Sequence, residues 1–183
     1  IDDVTVENAA SQGITVTSLA FAVIINSRVR NNGDDGIAVN ESSDARIGFN
    51  NNANGPAGPN EIHNNGNRGI VVARSSSARI TSSNIHDNVS DGIAATRGSA
   101  LDAAENIINN NGGSGISVTE NSAAQLGEDN TALFDGPNIT TTNNVVNGIR
   151  CRLGASLDGL IGTLNGTAGQ TDISGNCPDS LVP

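Results

Sequence analysis

The segment that decides the fold reads Asn60-Glu61-Ile62-His63-Asn64-Asn65-Gly66-Asn67-Arg68-Gly69-Ile70-Val71-Val72. Its closing Gly-Ile pair occurs six times, at residues 13–14, 36–37, 69–70, 92–93, 115–116 and 148–149. Successive pairs are 23, 33, 23, 23 and 33 residues apart, so two intervals carry the same ten extra residues. A fixed period of this length is typical of a solenoid, in which a single repeat cannot bury its apolar face alone.

Apolar positions recur inside each repeat and predict three short strands per coil. Alternating aliphatic residues follow each Gly at the first and third places, where Ile14/Val16, Ile37/Val39, Ile70/Val72, Ile93/Ala95, Ile116/Val118 and Ile149/Cys151 stand. Further apolar residues recur nine and eleven places after the Gly, and seven places before it. Such alternation marks strands with one face buried. We therefore predict an all-β fold, a three-sided parallel β-helix of about seven coils, right-handed by the rule for parallel crossovers.

Asparagines stand four residues before the Gly in five successive coils, at Asn32, Asn65, Asn88, Asn111 and Asn144. Stacked on neighbouring rungs ~4.8 Å apart, their side chains can hydrogen-bond along the helix axis. Asparagine also tolerates the left-handed backbone that a sharp corner requires. We interpret this ladder as structural.

The pattern N-x-I-x-N-N-G-x-x-G-I-x-V, which stands at residues 60–72 and is followed by Ser76-Ser77-Ala78-Arg79-Ile80, resembles the right-handed parallel β-helix repeat proteins of the pectate-lyase-like superfold. The resemblance covers about residues 10 to 160. It implies the fold and leaves the activity open, because that superfold hosts lyases, hydrolases, epimerases, adhesins and scaffolds.

The repeats predict a single domain, with an incomplete first coil at residues 1–12, repeat coils at 13–162 and a C-terminal cap at 163–183, where the repeat dissolves. The chain begins without Met or a leader sequence, which we interpret as a piece of a longer precursor. Cys151 takes an inward position, and Cys177 follows 26 residues later, close to one coil. We expect a disulfide that staples the cap, with two buried thiols as the alternative.

The ten-residue insertions enter at the same corner of the coil, after Gly48 and Gly127, and should project from one edge three rungs apart. The second insertion gathers the carboxylates of Glu128, Asp129 and Asp135. Oxygen ligands at that density could hold Ca²⁺, although the spacing matches no known calcium loop. The alternative is a solvated acidic turn, and otherwise we expect no cofactor.

Outward positions of equivalent coils form columns on the surface. Arg46, Arg79 and Asp102 share one column, where neighbouring guanidinium groups could grip a carboxylated sugar. His63 and His86 share another, where two imidazoles could bind a transition metal. A third column, Glu41, Arg74, Arg97 and Glu120, is interpreted as surface ion pairs of small energetic value.

No catalytic constellation stands out: the chain has no Lys, no triad order, no Cys/His zinc spacing and no clustered Asp set. A net charge of −10, without a basic stripe or an aromatic platform, excludes nucleic acid as a partner. No apolar run reaches the length of a membrane span. The even cysteine count and the polar surface favour an extracellular or cell-surface location.

Two classes of function remain open. One is a non-catalytic β-helix with a structural, adhesive or self-assembling role. The alternative is a polysaccharide-binding or degenerate polysaccharide-lyase-like domain. If the chain is an enzyme, a polysaccharide lyase or hydrolase is expected.

Overall fold

A computed structural model of the chain describes residues 1–48, 58–127, 136–166, 171–174 and 177–182. These residues form 21 strands in three seven-stranded sheets. The first sheet contains β1 (Thr5–Glu7), β4 (Arg28–Arg30), β7 (Glu61–His63), β10 (Asn84–His86), β13 (Ile107–Asn109), β16 (Ile139–Asn144) and β19 (Thr163–Gly166). The second contains β2 (Ile14–Val16), β5 (Ile37–Val39), β8 (Ile70–Ala73), β11 (Ile93–Thr96), β14 (Ile116–Val118), β17 (Ile149–Cys151) and β20 (Thr171–Ile173).

The third sheet contains β3 (Phe21–Ile24), β6 (Asp44–Ile47), β9 (Ser77–Thr81), β12 (Ala100–Ala104), β15 (Ala123–Leu126), β18 (Ser156–Leu160) and β21 (Asp179–Val182). Every sheet takes one strand from each coil, and all the strand pairs are parallel. The predicted three-sided parallel β-helix of seven coils is confirmed. Among the residues described, none belongs to a helix long and apolar enough to cross a membrane.

The core is the stack of aliphatic side chains that the repeat predicts. The isoleucines after each Gly pair in register along the second sheet, and five of these six are no more than 1% exposed. The glycines before them are required by space: a Cβ on Gly92 would lie 2.4 Å from Cγ2 of Ile108 and 2.7 Å from the Gly115 carbonyl oxygen. Packing, therefore, and not a left-handed backbone, explains why glycine recurs at this place.

Each of the three corners of the coil has its own internal ladder. The predicted ladder of Asn32, Asn65, Asn88, Asn111 and Asn144 is present, with consecutive side chains hydrogen-bonded at 2.9–3.1 Å. A second ladder, which the sequence analysis missed, runs through Ser27, Asn60, Ser83, Asn106 and Asn138. A third consists of Ser43, Ser76, Ser99 and Ser122. The left-handed residue at the first corner is the one before the ladder Asn, as at Asn64 with φ 55°.

At both ends of the chain, strands pair beyond the residues that carry the repeat pattern. Strand β1 already pairs in register with β4, so residues 1–12 supply a full strand of the first sheet. Beyond Gly162, where the sequence pattern dissolves, β19, β20 and β21 continue all three sheets. Backbone pairing thus continues at both ends of the chain where the recurring side chains of the repeat are absent.

The predicted disulfide between Cys151 and Cys177 is confirmed, with Cα atoms 6.1 Å apart and both residues buried. The rung partner of Cys151 is Ile173, and Cys177 comes after β20 instead of within it. The backbone N–H of Cys177 donates to the Ser174 carbonyl oxygen at 2.8 Å, and the Cys177 side chain is buried in the core. The bond ties the last coil to the one before it.

Candidate functional site

The outer face of the third sheet carries two parallel columns of side chains. One column consists mostly of small residues and runs Phe21, Asp44, Ser77, Ala100, Ala123 and Ser156. The other is mostly polar and runs Val23, Arg46, Arg79, Asp102, Gln125 and Asp158. Strand alternation creates this arrangement, because the residues between the two columns, such as Ala45 and Ala78, face the core.

Two shallow cavities lie end to end along this face. The first, about 440 Å³, is lined by residues of four coils, among them Asp44, Arg46, Arg79, Asp102 and Gln125. The second, about 510 Å³, continues through Ala123 and Gln125 to Asp158 and Asp179. We call the two together the axial groove. Small side chains form its floor and polar groups its wall, so an extended chain could lie along it.

Arg46, Arg79 and Asp102 are brought together as the sequence predicts. Arg46 and Arg79 are register partners on adjacent strands, and Asp102 is the next partner along. Nε of Arg79 lies 3.3 Å from Oδ2 of Asp102. Asp44 joins the same end of the groove, where it accepts a hydrogen bond from Ser77 Oγ at 3.1 Å. The sequence analysis did not select Asp44, Gln125 or Asp158, although their column positions place them here.

An exposed aromatic ring stands at the N-terminal end of the groove. Phe21 is 57% exposed and is the register partner of Asp44. An exposed ring beside hydrogen-bonding groups is suited to contact the apolar face of a sugar ring. Guanidinium, carboxylate and amide groups in the adjoining wall can bind hydroxyl or carboxylate groups in pairs.

The outer face of the first sheet holds the predicted histidine pair. The rings of His63 and His86 stack with centroids 4.9 Å apart and an interplanar angle of 6°. Nδ1 of His86 lies 2.7 Å from Oδ2 of Asp87, and its Nε2 lies 3.8 Å from Oε1 of Glu61. Burial, followed by the nearby His86, lowers the pKa of His63. Glu61 is also paired with Arg28 at 3.0 Å, so this face is a network of ion pairs.

The metal hypotheses gain no support from this geometry. Within the described ranges, no group of three or more His, Cys, Asp or Glu side chains is placed to hold a metal ion. The carboxylates of Glu128, Asp129 and Asp135 lie outside the described residues, so the calcium hypothesis stays a hypothesis. The third predicted column does form ion pairs, Arg74 with Glu41 and Arg97 with Glu120, each at 3.6 Å.

The outer side of the second sheet carries a charged column that the sequence analysis did not select. Asp35, Arg68 and Asp91 each precede the Gly of a Gly-Ile pair, in consecutive coils. Nη1 of Arg68 lies 3.6 Å from Oδ1 of Asp35. Burial raises the pKa of the carboxyl groups of Asp35 and Asp91. Beside them the strip of small residues Ala38, Val71, Ala73 and Ala94 is at most 6% exposed. Reading the position before each Gly as a column would have found this cluster.

Comparison with known proteins agrees with the fold. Residues 1–177 match the family described as the right handed beta helix region. None of the curated proteins matches the chain. Among solved structures, the periplasmic alginate epimerase AlgG superposes with a TM-score of 0.75 at 20% identity, over 98% of this chain and 44% of the epimerase. A T265N mutant of AlgG gives 0.77 at 21% identity, over 99% and 44%.

A more distant structure is the A-module of the Azotobacter vinelandii mannuronan C-5 epimerase AlgE4. It superposes with a TM-score of 0.54 at 17% identity, over 97% of this chain and 54% of the module. The chain thus spans about half the length of these structures. At such identities the likeness establishes the fold.

Proposed function

The chain belongs to the family of the right-handed β-helix region, and from that premise we propose that it is a non-catalytic, exported module that adheres to a uronate-containing polysaccharide. The polysaccharide lies along the axial groove of the third sheet. The observation that carries the proposal is the pair Arg46 and Arg79, one rung apart at the wall of a groove about 440 Å³ in volume.

The spacing of the fold supports a polymeric ligand. Rungs repeat every ~4.8 Å along the axis, which is close to the advance of one sugar unit in an extended polysaccharide. Successive sugar units would therefore meet equivalent positions of successive coils. The groove is lined from the second coil, at Asp44, to the seventh, at Asp179, so several units can bind at once.

The charges of the groove assign its two ends different roles. Arg46 and Arg79 provide fork-shaped donors that suit a carboxylate. Toward the other end, Gln125, Asp158 and Asp179 offer acceptors for sugar hydroxyl groups. A net charge of −10 repels an anionic polymer at long range, so the attraction for a uronate must come from the arginines at the groove itself. We therefore expect the best ligand to carry uronate units whose charge Arg46 and Arg79 meet directly.

The structural neighbours support the choice of ligand class, since AlgG is an alginate epimerase and AlgE4 a mannuronan C-5 epimerase. Export is supported by the Cys151–Cys177 disulfide, since such bonds persist in oxidising compartments. Lyases of the resembling superfold use an Arg or Lys base near acidic residues, and its hydrolases use a cluster of Asp. The non-catalytic assignment is supported by the sequence, which has no Lys and no clustered Asp set.

A glycan array tests the proposal. We expect the chain to bind alginate or polygalacturonate fragments in preference to neutral glucans of equal length. Incubation with the same fragments should release no unsaturated product, measured by ultraviolet absorbance. Equal binding to neutral and uronate fragments would reject the ligand class. Product formation that disappears in a single-arginine variant would reject the non-catalytic assignment.

A further inference from the structure

Three of the five asparagines in the predicted ladder are followed by glycine. The pairs are Asn32-Gly33, Asn65-Gly66 and Asn111-Gly112, whereas valine follows at Asn88-Val89 and Asn144-Val145. In an Asn-Gly pair the backbone nitrogen of the glycine can attack Cγ of the asparagine, because the glycine has no side chain to hinder the approach. Asparagine is for this reason among the thermolabile residues. The branched side chain of valine crowds the same approach.

The close packing of the coils requires glycine in these pairs. A Cβ on Gly66 would lie 2.4 Å from the carbonyl oxygen of Gly33, and a Cβ on Gly112 would lie 2.1 Å from the carbonyl oxygen of Val89. Both distances are far inside van der Waals contact, so a larger residue would displace the backbone of the preceding coil. The chain therefore carries a reactive pair at this corner, and the fold does not allow a larger residue to replace the glycine.

Hydrogen bonds hold the asparagine side chain of each pair in place. Nδ2 of Asn65 donates to Oδ1 of Asn88 at 2.9 Å and to the carbonyl oxygen of Val29 at 3.2 Å. Asn65 is 0% exposed, so water cannot replace these partners. Rotation of the carboxamide toward the next nitrogen breaks both bonds. Asn111 makes the same two kinds of bond, each at 3.1 Å.

The glycine nitrogen, which would be the nucleophile, is also held. The backbone N–H of Gly66 donates to the carbonyl oxygen of Asn32 at 2.8 Å, and that of Gly112 donates to the carbonyl oxygen of Asn88 at 2.8 Å. Attack on Cγ requires this nitrogen to lose its proton to a base. A proton that is bound to a carbonyl group inside a packed corner is released only when the corner opens locally.

We propose that Asn32, Asn65 and Asn111 are latent deamidation sites that the ladder keeps unreactive. When a rung opens, the glycine nitrogen gives up its proton and bonds to Cγ, and ammonia leaves as the bond from Cγ to Nδ2 breaks. Water then opens the succinimide ring to aspartate or isoaspartate, so the asparagine and one water become the acid and ammonia. The ladder thus sets the chemical lifetime of the chain as well as its stability. This inference does not rest on the proposed function.

Conversion of Asn65 would destroy the rung that protects it. A carboxylate has no Nδ2 to donate to Asn88 and Val29, and one of its oxygens would face Oδ1 of Asn88 away from water. Burial of a charge without a donor on that side is costly. A converted rung therefore stays open, and the damage accumulates with the age of the protein.

Incubation of the whole chain in mildly alkaline buffer tests the proposal, with the folded protein compared with the protein unfolded in guanidinium chloride. Peptide mass spectrometry measures the conversion of each ladder asparagine. In the unfolded chain Asn32, Asn65 and Asn111 should convert readily, and Asn88 and Asn144 much more slowly, because valine follows them. In the folded chain all five should convert slowly, since each must wait for local opening.

Two variants separate local release of a rung from general destabilisation. Asn88→Ala removes the acceptor of Asn65, which should then convert at least about tenfold faster than in the folded wild type, because the group that must move has lost two hydrogen bonds. Asn111→Ala is the matched control. It removes the equivalent acceptor of Asn88, whose next residue is valine, so neither Asn88 nor Asn65 should accelerate to this degree.

The proposal is overturned if the folded and unfolded wild type convert at the same rate, or if Asn65 converts equally fast in the two variants. The second outcome would mean that conversion follows global unfolding. If Asn88→Ala does not fold, the wild type in guanidinium chloride below its midpoint decides. Conversion of Asn65 should then rise together with hydrogen exchange of the Gly66 N–H, and a constant rate would overturn the proposal.

Discussion

Nδ2 of Asn65 donates a hydrogen bond of 2.9 Å to Oδ1 of Asn88, which lies one coil along the axis. The same Oδ1 accepts the backbone N–H of Asn65 at 3.1 Å. Both residues are buried, so one carboxamide satisfies two donors of its neighbour away from water. This relationship repeats through the ladder and links each coil to the next through its corner.

Asn88→Ala should destabilise the protein by about 3 kcal/mol or more, because two buried donors of Asn65 lose their acceptor and each such loss costs ~1–3 kcal/mol. Urea unfolding measures the change in free energy. Val89→Ala is the matched control, since Val89 is the next residue and 67% exposed. An equal effect of the two substitutions would contradict a structural role for the ladder.

Loss of the disulfide should loosen the C-terminal coil first. The bond closes a loop of 26 residues, which stabilises by about 3 kcal/mol in the entropic account. Cys151→Val with Cys177→Ala removes the bond and keeps an aliphatic residue at a position where earlier coils have Val or Ala. Hydrogen exchange should rise in β20 and β21 before it rises in β8 and β11. Equal protection of β20 and β21 in the double variant and in the wild type would argue against this role.

Lowering the pH should reduce the stability of the protein through protonation of His63, which lies on the outer face of the first sheet. Its pKa in the folded protein is lowered, chiefly by burial and then by His86, so the unfolded chain binds the proton more readily. The stability it contributes is complete above the ordinary histidine pKa of ~6.5 and falls as the pH drops through the folded value. His63→Gln should reduce the loss of unfolding free energy in acid by a fraction of 1 kcal/mol, a small effect because the ring is partly solvated.

The measurement is the urea midpoint of wild type and His63→Gln at pH 7.5 and pH 5. Asp35 and Asp91, whose pKa values are raised, act in the opposite direction in both proteins and cancel in the comparison. An identical pH dependence for the two proteins would show that His63 does not titrate differently on folding.

The sequence predicted the fold well because its periodicity reports packing directly. Ile70 and Ile93 recur where the core needs an aliphatic residue, and Gly92 where no Cβ fits. The strand Thr171–Ile173 lies in the segment that we expected to be a cap outside the repeat, because backbone pairing continues there without the recurring side chains. The column of Arg46, Arg79 and Asp102 was predictable from outward spacing. The pairing of Glu61 with both Arg28 and His86 depends on side-chain reach across coils, which spacing does not encode.

Binding to the axial groove should not require divalent cations, because Arg46 and Arg79 supply the positive charge that a carboxylate needs. Affinity for a uronate oligosaccharide should therefore be equal in EDTA and in Ca²⁺. Loss of binding in EDTA with recovery in Ca²⁺ would instead implicate the carboxylates of Glu128, Asp129 and Asp135, and substituting those three residues would then abolish the recovery.

The most direct test is the affinity of a uronate oligosaccharide for three proteins, measured by calorimetry at one salt concentration. The double variant Arg46→Gln/Arg79→Gln removes two charges from the axial groove, and Arg28→Gln/Arg30→Gln removes two from the outer face of the first sheet. We predict a loss of about tenfold or more for the groove variant, as expected for charge-assisted hydrogen bonds, and little change for the other. An equal loss in both variants, or undiminished binding in the groove variant, would contradict the account.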